Sequence, residues 1–186
     1  DGGPYANIEG YANLSGSVKM AKNTLTIGAT DNLGNRDSRS SGGPTHDGRV
    51  KPDVIAYGRE GTSDAAALGT GLSVLIQDWY LKKFNELPNS SFVKSAIIGG
   101  AVASDGQINF REGYGVMNGS RTMKILNDGQ YAEGAILKNQ PSEFELTVPE
   151  NIAELHVVIC WTDPPAEVGS NKALINDLDL SVVDPE

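Results

Sequence analysis

Cysteine is almost absent from the sequence, which has Cys160 as its one cysteine among 186 residues. A single cysteine excludes a disulfide within the chain, and it also excludes a zinc site built on several thiolates. Cys160 ends the apolar run 157–160, V-V-I-C. We therefore expect it to be a small buried hydrophobic residue.

Long apolar runs and basic clusters are also missing. No stretch approaches the length of a membrane-spanning helix, and the polar start D-G-G-P lacks the pattern of a signal peptide. The net charge is -9, and no group of lysines and arginines is interleaved with aromatic residues. We therefore expect neither a nucleic-acid partner nor a membrane partner. A chain that starts in this way is expected to be a fragment of a longer protein.

The residues that are present indicate a globular α/β unit. With 39% hydrophobic residues, 22 glycines and 9 prolines, the composition is that of an ordinary folded domain. Short β-branched or apolar runs at 24–29 and 54–56 predict two strands. Helical spacing follows in 63–84, with Leu72, Leu75 and Ile76 on one face, and shorter helices are predicted to end at Gly100 and Leu126.

Residues 61–67, G-T-S-D-A-A-A, place a hydroxyl at the start of the long helix. The first N–H groups of a helix have no internal partner and attract negative charge, so an anion formed beside Ser63 would be stabilised. A serine nucleophile generates such an anion on the carbonyl that it attacks. The alternative is that Thr62 or Ser63 only caps the helix. The G-x-S-x-G elbow of the α/β-hydrolases is excluded by Ala65.

The tail from residue 128 has a different period. Apolar residues alternate with polar ones in 144–148, 155–161 and 178–182, which predicts antiparallel strands. The tail also supplies oxygen ligands that suit Ca²⁺, but the same alternation is typical of a solvated strand face, and we expect no bound metal or cofactor. The candidate calcium ligands are Asp163, Asp177, Asp179 and Asp184.

Four segments, in order, resemble subtilisin-like serine proteases, the subtilases. Residues 23–29, N-T-L-T-I-G-A, are similar to the strand that precedes the variable loops of that family. Residues 39–56, R-S-S-G-G-P-T-H-D-G-R-V-K-P-D-V-I-A, resemble the family stretch FSSRGPTSDGRIKPDVVAPG. Residues 61–66 resemble the nucleophile motif GTSMAAP, and residues 113–118 resemble a run near the end of the catalytic domain.

The tail resembles the β-sandwich that follows the catalytic domain in a bacterial subgroup of this family. The matching residues are W-T-D-P-P at 161–165 and A-L-I-N-D-L-D-L at 173–180. The resemblance implies a partial parallel-sheet domain at 1–127, forming the C-terminal half of the catalytic domain. It implies an antiparallel, jelly-roll-like sandwich segment at 128–186. The protein would be extracellular or attached to the cell envelope.

The resemblance also assigns roles in peptide-bond hydrolysis. Ser63 is the nucleophile, and its backbone N–H is one oxyanion donor. The acid, the base and the oxyanion asparagine of the family would precede this chain, because the catalytic order is Asp, His, Ser. His46 and His156, the two histidines of the chain, do not match the catalytic histidine. We therefore expect the chain to need its missing N-terminal half as a partner for activity on protein or peptide substrates.

Two departures from the family pattern are local. Only Arg59 and Glu60 separate Gly58 from Gly61, where the family has a longer segment, and Asp64 stands where the family has an apolar residue. A carboxylate beside the nucleophile opposes a developing oxyanion. The alternative function is therefore a non-catalytic binding or structural module, such as a degenerate subtilase. An intact aspartate and histidine motif upstream would favour the enzyme.

Overall fold

The computed structural model describes residues 18–104, 106–138, 140–148, 150–152 and 154–183. The loop predicted at residues 1–17 and the candidate ligand Asp184 lie outside the described residues. Within the described part, two strands precede three helices, which confirms the predicted α/β order. The elements are β1 (Ile27–Thr30), β2 (Val54–Tyr57), α1 (Thr62–Phe84), α2 (Ser90–Gly100) and α3 (Gly119–Asn127).

The sheet is a parallel pair in which Ile27 lies beside Val54. Strand β1 begins at Ile27, whereas the β-branched run predicted a start at residue 24. The reason is that side chains occupy the backbone groups before Ile27: the carboxylate of Asp53 accepts the N–H of Thr26 at 2.7 Å. On its other edge, β2 continues the sheet through a single parallel bridge between Ile55 and Val116.

Helix α1 packs on the sheet. Its buried residues near the N-terminus, Ala65 and Gly69, are small, so the helix backbone can lie close to the strands. A methyl group on Gly69 would overlap the side chain of Ile27, so the helix comes close to β1 at this point. The prediction that Leu75 shares the buried face is wrong, because its side chain is 57% exposed. The buried residues of α1 are Ala65, Gly69, Leu72, Ile76 and Tyr80.

Helices α2 and α3 complete the core beside α1. Asn89 is the N-cap of α2, and the Asn118 side chain caps α3 by accepting the N–H of Arg121 at 2.9 Å. The two helices meet at Gly100, where a methyl group would overlap Thr122. The main cluster of buried hydrophobic residues draws on β2 and all three helices.

The predicted antiparallel sandwich is not observed in the described part of the tail. The structure assigns no strand to the described residues after α3. The alternating side chains are present but unpaired: Phe144 and Leu146 are both more than half exposed. Antiparallel pairs need a partner strand to satisfy their backbone groups and to cover one face, and the described tail supplies none. Tyr131, Val158 and Cys160 instead pack against the main cluster.

No described helix combines the length and the apolar character that crossing a membrane requires.

Candidate functional site

Ser63 is the second residue of α1, directly after the turn that leaves the carboxyl end of β2. The turn is closed by a hydrogen bond from the N–H of Gly61 to the carbonyl of Gly58 at 3.1 Å. Gly61 has φ 114°, a backbone conformation that favours glycine. The short connection between Gly58 and Gly61 therefore delivers the helix N-terminus to the edge where α/β sheets bind their ligands.

The structure does not support the capping alternative for Thr62 or Ser63. The N-cap position belongs to Gly61, which has no side chain to make a capping hydrogen bond. Ser63 is exposed, and its hydroxyl accepts or donates no hydrogen bond among the residues that the structure describes. Its backbone N–H belongs to the first turn, where no intrahelical acceptor exists. A hydroxyl and an N–H are thus both available at the positive end of the helix macrodipole.

A depression of about 270 Å³ lies beside Ser63. One wall belongs to the start of α1, and the other is formed by the approach to β1 together with the loop that precedes β2. The volume would accommodate one or two amino-acid side chains or a short stretch of extended peptide. The lining residues are Lys19, Thr26, Ile27, Gly28, Ser40, Ser41, Pro52, Thr62, Ser63 and Ala66.

The hydroxyl of Ser40 fixes the wall opposite α1. Ser40 is fully buried, and its Oγ accepts the N–H of Ala29 at 3.0 Å. A side chain at position 28 would overlap this hydroxyl, because a methyl group on Gly28 would lie 2.7 Å from Ser40 Oγ. The pair explains why serine and glycine are needed here, although the sequence assigned no role to either.

The carboxylate of Asp64, beside Ser63 at the helix start, has its own hydrogen-bond donor. It accepts the N–H of Glu60, two residues before the helix, at 2.8 Å. The guanidinium of Arg39 lies close enough to donate to the carbonyl of Arg59 at 3.5 Å. The pKa of Arg39 is raised mainly by its hydrogen bond to Asp37, and the charge of Asp64 adds to the shift. The negative charge of Asp64 is therefore partly balanced outside the depression.

The histidines do not contribute to this site. His46 is exposed, and His156 in the tail lies 3.0 Å from the Glu154 carboxylate. Neither lines the depression beside Ser63. The described residues therefore bring a candidate nucleophile together with N–H donors, and they place no imidazole base beside it.

The candidate calcium ligands are not brought together. Asp163 is buried, and its carboxylate accepts hydrogen bonds from Lys22 and from two backbone N–H groups. Asp177 is exposed and pairs with Lys172 at 3.1 Å. Among the residues described, no three histidine, cysteine or acidic side chains are grouped so that they could hold a metal ion. The calcium hypothesis gains no support from this arrangement.

A buried charged group lies directly before β2 in the chain, and sequence reasoning did not identify it. Lys51 is 2% exposed and its ammonium lies 2.5 Å from Asp53, whose other carboxylate oxygen pairs with Lys94 at 2.9 Å. The signal was present in the sequence, since K-P-D at 51–53 is part of the stretch that resembles the subtilases. Its role becomes visible only when α2 brings Lys94 to the same place.

Comparison with known proteins identifies relatives of this chain. The subtilase family model, Peptidase_S8, matches residues 7–115. The serine protease/ABC transporter B family protein tagA of Dictyostelium discoideum is 24% identical in an alignment 194 residues long, which covers 76% of this chain and 11% of that protein. The related tagD protein of the same organism is 22% identical and covers 83% of this chain and 13% of its own length. The chain thus spans little more than a tenth of these relatives.

Solved protease structures share the fold. The CspB protease of Clostridium perfringens has 26% sequence identity and a TM-score of 0.51, over 56% of this chain and 27% of that one. The self-cleaved protease domain of PatA has 20% identity and a TM-score of 0.50, over 60% of this chain and 44% of that one. Because the family model covers more than half of the sequence and the fold agrees, this chain belongs to the subtilase family.

Proposed function

We propose that these residues form the nucleophile-bearing part of a subtilisin-like serine endopeptidase. The observation that carries the proposal is the placement of Ser63: an exposed hydroxyl without a hydrogen-bond partner among the described residues, in the first turn of α1, beside the depression. Membership of the subtilase family supports it. The substrate class is a protein or peptide whose scissile carbonyl reaches Ser63.

The reaction is acyl transfer. Ser63 Oγ attacks the carbonyl carbon while its proton passes to a base, and the oxygen that gains charge is stabilised by the Ser63 N–H and the helix macrodipole. Collapse of the tetrahedral intermediate breaks the peptide bond, and the leaving amine takes the proton. Water then releases the acyl group by the same steps in reverse order. The base, its orienting acid and a second oxyanion donor are supplied by polypeptide outside these residues.

The isolated chain is therefore expected to be inactive. An unassisted serine hydroxyl is a weak nucleophile, and both histidines of the sequence lie away from Ser63. The strands predicted for 128–186 form, in this proposal, only when the rest of the sandwich is present. A location outside the cell or at its envelope is likewise part of the proposal.

Hydrolysis of casein tests the proposal. The full-length protein that contains these residues should cleave casein, and Ser63→Ala should lower kcat/KM by about 10⁴-fold or more. Ser73→Ala is the matched control, since it removes a hydroxyl from the same helix that only bonds the carbonyl of Gly69. Casein cleavage that survives in Ser63→Ala would contradict the assigned nucleophile. A correctly folded full-length protein that cleaves nothing would favour the binding module.

A further inference from the structure

Asp163 is a charged residue of the tail whose side chain is almost completely buried. It is 3% exposed. Its carboxylate lies 2.5 Å from the Lys22 ammonium and accepts the N–H groups of Ile175 and Asn176, each at 2.8 Å. Burial by itself would raise the pKa of Asp163, but these hydrogen bonds outweigh it and lower the pKa to about 2. The carboxylate is therefore ionised and satisfied at neutral pH.

Lys22 and Asn23 hold the other side of this contact. The Lys22 ammonium has three N–H groups, and it donates to the Asp163 carboxylate and to the carbonyls of Pro164 and Ala173. The Asn23 side chain accepts the N–H of Asp163 at 3.1 Å and donates to its carbonyl at 2.9 Å. Both residues belong to the segment that leads into β1, which we call the bridge segment (residues 22–26).

The bridge segment is also held by the buried charged group formed by Lys51, Asp53 and Lys94. Lys51 and Lys94 both donate to the carbonyl of Thr24, at 2.7 and 3.2 Å. Asp53 pairs with both ammonium groups and also accepts the N–H of Thr26. The charged groups of Lys51, Lys94 and Asp53 therefore bind the backbone of this short, irregular stretch. The bridge segment is thus held by hydrogen bonds from the tail and from this charged group.

The bridge segment also forms part of the depression beside Ser63. Thr26 lines the depression, and its hydroxyl donates to the carbonyl of Lys19, a second lining residue, at 2.8 Å. The start of α1 lies on the other side of the same depression. A shift of the bridge segment therefore changes the width of the depression without moving Ser63.

We propose that Asp163 is a positioning residue that acts from the tail, through Lys22 and Asn23, on the wall of the depression where substrate binds. The tail thereby controls how tightly peptide is held beside Ser63. This inference rests on the proposed function, because it assigns the depression to the peptide substrate. Asp163 touches no reacting atom in this account, so its loss alters binding more than the chemical step.

Asp163→Asn in the full-length protein tests the proposal. The substitution keeps the shape but removes the charge and puts an amide where Lys22 needs an acceptor. We expect amide hydrogen exchange in residues 19–26 to become about tenfold faster, and KM for a peptide to rise by about fivefold or more while kcat stays within about twofold. Asp177→Asn is the matched control, because that aspartate is exposed in the same tail.

Each possible result either supports or overturns the positioning role of Asp163. Unchanged exchange in residues 19–26, or faster exchange with an unchanged KM, overturns the positioning role, and so does an equal effect in Asp177→Asn. If Asp163→Asn does not fold, Asn23→Ala replaces it and should shift exchange and KM in the same direction. If the wild-type protein cleaves no peptide, the proposed function fails. Binding of a fluorescent peptide then replaces KM, and a Kd unaffected by Asp163→Asn overturns the inference.

Discussion

The ammonium of Lys51 is the most deeply buried cation among the described side chains. Its environment predicts how this one residue affects stability as the pH changes. Burial is the main cause that lowers the pKa of Lys51 to about 8, and the charge of Lys94 lowers it further, while Asp53 opposes both. The protonated form is therefore less favourable in the folded protein than in the unfolded chain. Asp53 keeps Lys94 as a partner if Lys51 is removed.

The folding free energy should therefore depend on pH in a defined window. Between about pH 8 and 10.5 the unfolded chain binds more protons at Lys51 than the folded protein does, so this group makes the protein more stable as pH rises. Lys51→Met should remove that contribution, whereas Lys82→Met, at an exposed ion pair, should not. Urea denaturation of all three proteins across this window measures the slopes. An identical slope in wild type and Lys51→Met would contradict the account.

At this same scale, the candidate site divides into a part that was predictable and a part that was not. The position of Ser63 follows from local sequence, because a G-T-S turn before a run of helix-forming residues sets the helix start. The contact between Lys22 and Asp163 joins residues 141 positions apart. No local pattern encodes such a pair, since its partners meet only after α2 and the tail have packed.

At the scale of elements, the crossing of α2 and α3 depends on a glycine. A methyl group on Gly100 would approach the Cα of Thr122 to 2.9 Å, whereas a methyl group on the neighbouring Gly99 meets nothing within 4 Å. Gly100→Ala should therefore cost about 1–3 kcal/mol through overpacking. Gly99→Ala should be neutral or stabilise by up to about 1 kcal/mol, because alanine favours the helix.

Denaturant midpoints of the two variants measure the difference. Equal midpoints for Gly99→Ala and Gly100→Ala would show that the helices can separate at this crossing without cost, contrary to the packing described here.

Elements whose ends are marked by residues such as glycine were predicted well. Elements that depend on contacts with distant parts of the chain were not. Helix α2 ends at Gly100, the second of two paired glycines, as the sequence indicated. The start of β1 was misplaced because Asp53, a distant side chain, takes over the N–H of Thr26. In the tail, the alternation of apolar residues such as Phe144 and Leu146 indicates strands. A β-strand forms only when a neighbouring strand is present to make hydrogen bonds with its backbone.

At the scale of the whole molecule, α1 exposes several large apolar residues. Its outer side carries Leu68, Val74 and Leu75, each about half exposed. Large apolar side chains exposed together on one element are typical of a surface that another polypeptide covers. We propose that further polypeptide of the full-length protein covers this outer side.

Substitution on the outer side of α1 tests that proposal. In the full-length protein, Leu75→Asp should cost about 3 kcal/mol or more, because it would bury an unpaired charge. Gln77→Asp, an exposed position two residues further on, is the control and should change stability by no more than about 0.5 kcal/mol. Equal effects of the two substitutions in thermal or urea unfolding would mean that the outer side stays in solvent.

The central claim is that Ser63 is the nucleophile of a subtilase, and covalent labelling tests it most directly. The full-length protein is treated with a fluorophosphonate probe, digested, and mapped by mass spectrometry. The account predicts an adduct on Ser63 that is absent in Ser63→Ala and retained in Ser73→Ala. A folded, fully processed protein that carries no adduct on Ser63, or that is labelled equally after Ser63→Ala, would contradict it.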